Sequence, residues 1–219
     1  MDRACPAGRP VNKTRRLSEK DRRRLLRETL DASPYEDEFW VFGFGSLMWN
    51  PGVDVAARHT ATVRGYERKF HIWSTIGRGT AERPGLGLCL EPGPGACRGI
   101  VYRYRMETLN EDLEYLWGRE MGSGVYNPTW VPVVLDDEAA DGQTEPRRRT
   151  ALTFVINHGH PGYAGPMPAA DMARHMGGAY GRNGRCRDYL ANTIAEMAKL
   201  GDRDPLLEEV LELIDAEAL

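Results

Sequence analysis

Cysteine is scarce in this chain: four in 219 residues, at Cys5, Cys89, Cys97 and Cys186, with no C-x-x-C pair and no zinc-type spacing to histidine. That excludes a disulfide scaffold and a structural zinc site. Histidine is equally thin, and His158 and His160 lie in one short loop segment with no third ligand nearby, so no metal centre is expected. No apolar run approaches the roughly 18 residues that a membrane span needs. The first thirty residues lack the uncharged apolar core of a secretory signal, which sets the cytoplasm as the expected compartment. A phosphate loop of the G-x-x-x-x-G-K-[ST] type is missing, as are a G-x-S-x-G elbow, internal repeats and low-complexity blocks. Chemistry that depends on an activated serine or a nucleotide loop therefore has no visible seat, and no cofactor is expected.

What is present is an ordinary globular composition, 41% hydrophobic and 28% charged with a net charge of −3, in a length that one αβ domain commonly fills. The charge is unevenly spread. Residues 1–30 hold ten Lys and Arg against four Asp and Glu, a local net of +6. No groove-reading motif accompanies this basic arm, so nucleic acid is not an expected partner. Residues 1–35 read as a basic leader with one short helix: unstructured through residue 16, then capped at Ser18 with Asp21 three positions on. Residues 36–219 read as the main domain. Strands are expected at Phe39–Phe42, at Ala61–Thr75 with a bend near Gly65, at Leu86–Glu91, Arg98–Tyr104, Thr129–Leu135 and Thr150–Ile156. Pro92-Gly93-Pro94-Gly95 reads as a tight turn pairing its two flanking strands as a hairpin, and Asp136–Arg149 as an exposed loop. Helices are expected at Glu107–Glu120, Ala169–Met176, Cys186–Leu200 and Pro205–Ala218. Strands between helical ends argue for an α+β fold, a curled, mainly antiparallel sheet wrapped by helices.

Three segments carry residues suited to chemistry. Gly43-Phe44-Gly45-Ser46-Leu47-Met48 follows the first strand, and two glycines flanking one large residue allow successive backbone N–H groups to converge on an anion. A tight strand exit that binds nothing fits the same pattern. Glu120 stands where a helix gives way to Gly122 and Gly124, with Trp117, Met121, Tyr126 and Trp130 close in sequence. A carboxylate in apolar company has its charged form disfavoured, which suits proton transfer near neutral pH. A surface pair with Arg119 is the plain alternative. Arg78, between Gly77 and Gly79, is placed either to clamp a carboxylate or to sit exposed at a hairpin tip.

The order of these pieces is informative. Val41-Phe42-Gly43-Phe44-Gly45-Ser46-Leu47-Met48-Trp49-Asn50-Pro51 resembles the opening signature of the ChaC-type γ-glutamylcyclotransferases, and Tyr115–Glu120 with Tyr126 resembles the segment holding their catalytic glutamate. Gly181, Asn183, Tyr189, Leu190, Thr193 and Leu200-Gly201 through Leu207 are similar to the family's closing helices, so the likeness spans roughly residues 38–215. The resemblance implies a small mixed β-barrel surrounded by helices, with glutathione as substrate and 5-oxoproline and cysteinylglycine as products. It implies Glu120 as proton acceptor, Gly43 to Met48 as substrate loop, and Arg78 and Tyr126 beside them; separately, no cofactor or metal and a monomer or weak dimer are expected. Phe44 departs from the family's usual tyrosine and removes any hydrogen bond from that hydroxyl. Two other readings stay open: a cyclotransferase of the same fold acting on other γ-glutamyl amino acids or γ-glutamylamines, and a regulatory binding protein that docks through its basic arm.

Overall fold

The computed structural model describes residues 16–136 and 147–217. The expected unstructured start and most of the expected 136–149 loop lie outside these. Strands β1 (Trp40–Gly43), β2 (Val55–Ser74), β3 (Gly85–Tyr104), β4 (Tyr126–Leu135) and β5 (Arg148–Ile156) close a barrel in the order β1-β3-β2-β4-β5. Most ladders are antiparallel; β5 closes the barrel by running parallel to β1, at Val41 opposite Leu152, and to β3, at Leu90 opposite Val155. Helices α1 (Glu19–Asp31), α2 (Leu109–Glu120), α3 (Ala169–Gly177), α4 (Cys186–Lys199) and α5 (Pro205–Glu217) surround it, and a two-residue pairing of β6 (Tyr180–Gly181) with β7 (Gly184–Arg185) precedes α4. This is the α+β barrel expected from the sequence.

Alternation along the strands sorts the core onto two faces, because successive side chains of a strand point oppositely. Phe42, Leu86, Leu90 and Val155 join α3, α4 and α5, while Phe39, Val41, Leu152 and Phe154 join α2. Helix α2 is drawn down by Leu113, Leu116 and Trp117, all buried, which brings its last residue, Glu120, to the barrel. Helix α1 begins as expected: the Ser18 hydroxyl oxygen accepts from the Asp21 N–H at 3.1 Å. Its Leu25, Leu26 and Leu30 pack on the α2 side, and the Trp130 indole N–H donates to the Thr29 carbonyl at 3.1 Å.

One expectation fails. Pro92–Gly95 is no hairpin turn: β3 runs unbroken from Gly85 to Tyr104, and both of its halves pair with β2. Tyr66 lies opposite Pro92 and Arg64 opposite Ala96, so residues 93, 94 and 95 face the single residue Gly65. The Pro-Gly stretch is an enlarged bulge on the outside of the bend in a long ribbon. The Glu67 carboxylate fills its concavity, accepting from the Gly95 N–H at 3.2 Å, and side chains at positions 93 or 95 would collide with it. Proline is tolerated there because bulged residues need not donate to the ladder. Opposite, Gly65 takes a φ of +80° with open space around its α-carbon. Gly65→Ala should therefore lower stability by about 1 kcal/mol through backbone strain alone, with Gly65→Asn losing less; urea denaturation of both variants measures this.

Candidate active site

The loop after β1 is held from behind. Arg68, buried on β2, donates from Nε to the Phe44 carbonyl at 2.6 Å, from Nη1 to Asp202 at 3.2 Å, and from Nη2 to the Arg98 carbonyl. In a trans peptide the carbonyl of one residue and the N–H of the next point oppositely. Fixing the Phe44 carbonyl on Arg68 thus turns the Gly45 N–H away from the core. Further along, the Tyr102 hydroxyl lies 2.8 Å from the Leu47 carbonyl and 3.0 Å from that of Met48. Ser46–Met48 form one 3₁₀ turn, closed by Met48 N–H to the Gly45 carbonyl at 2.8 Å. Among the described residues no acceptor takes the N–H groups of Gly45, Ser46 or Leu47. Three bare amides at the start of a helical turn form an anion cradle. Glycine at 43 is required by close approach, since a Cβ there would stand 2.6 Å from that of Leu47.

Glu120 faces this cradle. Phe44, Gly45, Ser46, Leu47, Leu88, Glu120, Tyr126, Phe154 and Tyr189 enclose a narrow recess of about 30 Å³. It opens into an outer chamber of about 340 Å³ that shares Ser46, Leu88, Glu120, Tyr126 and Tyr189 and adds Arg78, Arg119 and the 72–77 segment. The Glu120 side chain is 16% exposed, and burial raises its carboxyl above the ordinary value against the opposing pull of Arg119. Arg119 Nε lies 3.1 Å from Glu120 Oε1, while its other nitrogens donate to the Ser46 hydroxyl at 2.7 Å and the Asn50 carbonyl at 2.6 Å. Glu120 thus does pair with Arg119, but in a place largely withdrawn from water, not as the surface pair that was the plain alternative.

The other expected residues divide. Tyr126 lines both chambers and donates to the Leu88 carbonyl at 2.6 Å. Burial, with Glu120 beside it, raises its phenol well above the usual value, so it remains a hydroxyl. Arg78 lines the outer chamber, its guanidinium 4.6 Å over the Tyr189 ring and bonded to the Asn183 carbonyl. Gly43 and Met48 line neither chamber; Met48 sits beneath the loop against Arg68. Sequence reasoning passed over Arg119, Tyr189 and Arg68 as site residues. Arg119 had a signal, adjacency to Glu120; Arg68 lies 24 positions from the carbonyl it holds and had none. His158 is engaged with Glu91 Oε1 at 2.6 Å, beside His71 and Tyr163 on the same carboxylate, and among the described residues no three ligating side chains are set to hold a metal ion.

A closed barrel in which unoccupied backbone amides face one buried carboxylate has the chemistry to hold an anion beside a group able to take up a proton. Comparison with known proteins gives the chain a lineage. Residues 39–217 match the family model described as ChaC-like protein. A relative from Escherichia coli K12, named glutathione-specific gamma-glutamylcyclotransferase, is 39% identical over 194 residues, covering 89% of this chain and 80% of the relative. A mouse relative, glutathione-specific gamma-glutamylcyclotransferase 1, is 33% identical over 178 residues, covering 80% and 77%. The crystal structure of a yeast γ-glutamyl cyclotransferase specific to glutathione shares the fold, with a TM-score of 0.73 at 22% identity over 83% of this chain and 97% of that one. The chain belongs to the ChaC-like family.

Two outcomes test this geometry. Arg68→Met leaves the Phe44 and Arg98 carbonyls and the Asp202 carboxylate without their donor, and should cost about 3 kcal/mol or more in chemical denaturation, well beyond Asp202→Asn. A carboxyl raised in the folded state favours folding in its protonated form, and that contribution is lost as pH rises through the folded-state value. Glu120→Gln should therefore melt as high as the parent or higher at neutral pH, with the gap closing on acidification toward the ordinary value of 4.5.

Proposed function

We propose that this protein is a γ-glutamylcyclotransferase acting on glutathione, with residues 36–219 as the catalytic domain and Glu120 as the proton shuttle. The observation that carries the reading is the placement of Glu120 against the bare amides of residues 45–47 within one recess, in a chain of the ChaC-like family. The amides take the α-carboxylate of the γ-glutamyl group, and Arg78 adds positive potential on the outer wall. This leaves the substrate's own α-amine close to its own γ-carbonyl. The protein then needs no nucleophile.

The amine, with a pKa of about 8 in peptides, must shed a proton before it can attack. Glu120 accepts that proton, and burial makes its carboxylate a stronger base than one in water. The amine nitrogen bonds to the γ-carbon, closing a five-membered ring. Collapse of the tetrahedral intermediate breaks the amide C–N bond: Glu120 returns its proton to the departing cysteinyl nitrogen, and the ring nitrogen sheds its remaining excess proton, which the released cysteinyl amine takes up as ammonium. The products are 5-oxoproline and cysteinylglycine. Orientation of amine and carbonyl reaches effective molarities of about 10⁵ M or more, and the proton shuttle adds roughly 10²- to 10⁴-fold. Tyr126, locked on the Leu88 carbonyl, walls the reacting centre rather than titrating. The reading places the enzyme in the cytoplasm, where its buried thiols stay reduced.

Purified protein should release 5-oxoproline from glutathione faster than from γ-glutamylalanine. Glu120→Gln should lose roughly 10²- to 10⁴-fold in kcat while folding normally. The acidic limb of the parent's pH profile should have its midpoint above 4.5, the ordinary glutamate value. Full turnover by a well-folded Glu120→Gln variant would remove Glu120 from this role.

A further inference from the structure

Four charged side chains line the outer chamber: Arg16, Arg78, Arg119 and Glu120. Three are committed. Arg119 holds Ser46, the Asn50 carbonyl and Glu120; Arg78 holds the Asn183 carbonyl and stacks on Tyr189. Arg16 is exposed, and among the described residues it has no carboxylate within ion-pair distance and no hydrogen-bond acceptor. It lies outside the segment that matches the family, which begins at residue 39.

Its place at the chamber is nevertheless built. The N–H of the next residue, Leu17, donates to the Gly122 carbonyl at 3.1 Å. The Leu17 side chain lies over Gly124, 3.1 Å from where a Cβ would stand, and packs with the α2-side core. Ser18 then starts α1, and α1 is fastened to β4 through Thr29 and Trp130. The turn that receives Leu17 is the one leaving Glu120, so Arg16 joins Gly122 and Ser123 in the chamber wall. It is absent from the inner recess.

Glutathione carries two carboxylates at opposite ends. With the γ-glutamyl end in the recess, cysteinylglycine extends into the outer chamber and brings a second carboxylate there. We propose that Arg16 binds this terminal glycyl carboxylate and so selects the tripeptide over shorter or neutral γ-glutamyl compounds. The inference rests on the proposed function, and it makes the segment before the family domain a part of substrate recognition. A guanidinium is suited to this because its planar fork matches a carboxylate in a bidentate pair.

The test crosses two enzymes with two substrates in the full-length chain: parent and Arg16→Ala, each with glutathione and with glutathione whose glycyl carboxylate is converted to the amide. Because Arg16 is exposed, a loss of about five- to tenfold in kcat/KM is expected for Arg16→Ala on glutathione, carried by KM with kcat near the parent's. The parent should show a similar penalty on the amide, Arg16→Ala should no longer distinguish the two substrates, and Arg16→Lys should recover part of the preference. An active parent whose Arg16→Ala variant loses nothing, or loses equally on both substrates, overturns the role of Arg16 and leaves the proposed function standing. A parent that releases no 5-oxoproline from either substrate overturns both.

Discussion

The site depends on where one peptide unit points. Arg68 takes the Phe44 carbonyl inward, and the rigidity of the peptide bond then presents the Gly45 N–H to the recess. Without that anchor the Gly-Phe-Gly segment has freedom enough to turn its amides elsewhere, since glycine resists few conformations. Arg68 makes its other bonds to the Arg98 carbonyl on β3 and to Asp202 after α4. The amide cradle is therefore referred to the barrel and to the closing helices together through one buried guanidinium with several partners.

Glu120 reaches the same place by a separate route. Three apolar residues of α2 bury themselves against the barrel and leave its last residue at the rim. Arg119 then ties the two routes, with one nitrogen on Glu120 and another on the Ser46 hydroxyl of the cradle turn. The carboxylate is pulled in two directions, burial disfavouring its charge and Arg119 favouring it, with burial the larger. Such a balance makes the carboxylate a stronger base than one in water, the property that proton transfer calls for.

Much of this was legible in the sequence, and the failures have a common cause. Helix caps, strand alternation and the loop glycines are local signals, and they placed α1, β1, α2 and the cradle. The Pro92–Gly95 segment misled because Pro and Gly state that the chain deviates from a regular ladder, not in which direction. Whether they make a turn or a bulge was settled by what lies opposite, Gly65 and Glu67, some 25 to 30 residues earlier. Arg68 was invisible for the same reason: its partners at 44, 98 and 202 become neighbours only when the barrel closes. The seat that Leu17 takes on the turn after Glu120 was likewise invisible in the sequence.

The three cysteines within the described residues are free and buried. Burial pushes the Cys89 thiol up to about 12 and those of Cys97 and Cys186 to about 11. At neutral pH each is ionised in only about one molecule in ten thousand or fewer, and thiolate is the form that attacks a disulfide. A protein that receives a small thiol in its pocket, together with the oxidised dimer of that thiol in the surrounding medium, would otherwise be at risk of becoming covalently capped by its own substrate. With these three sulfurs protonated and out of reach, the described residues offer such a disulfide no cysteine thiolate to exchange with.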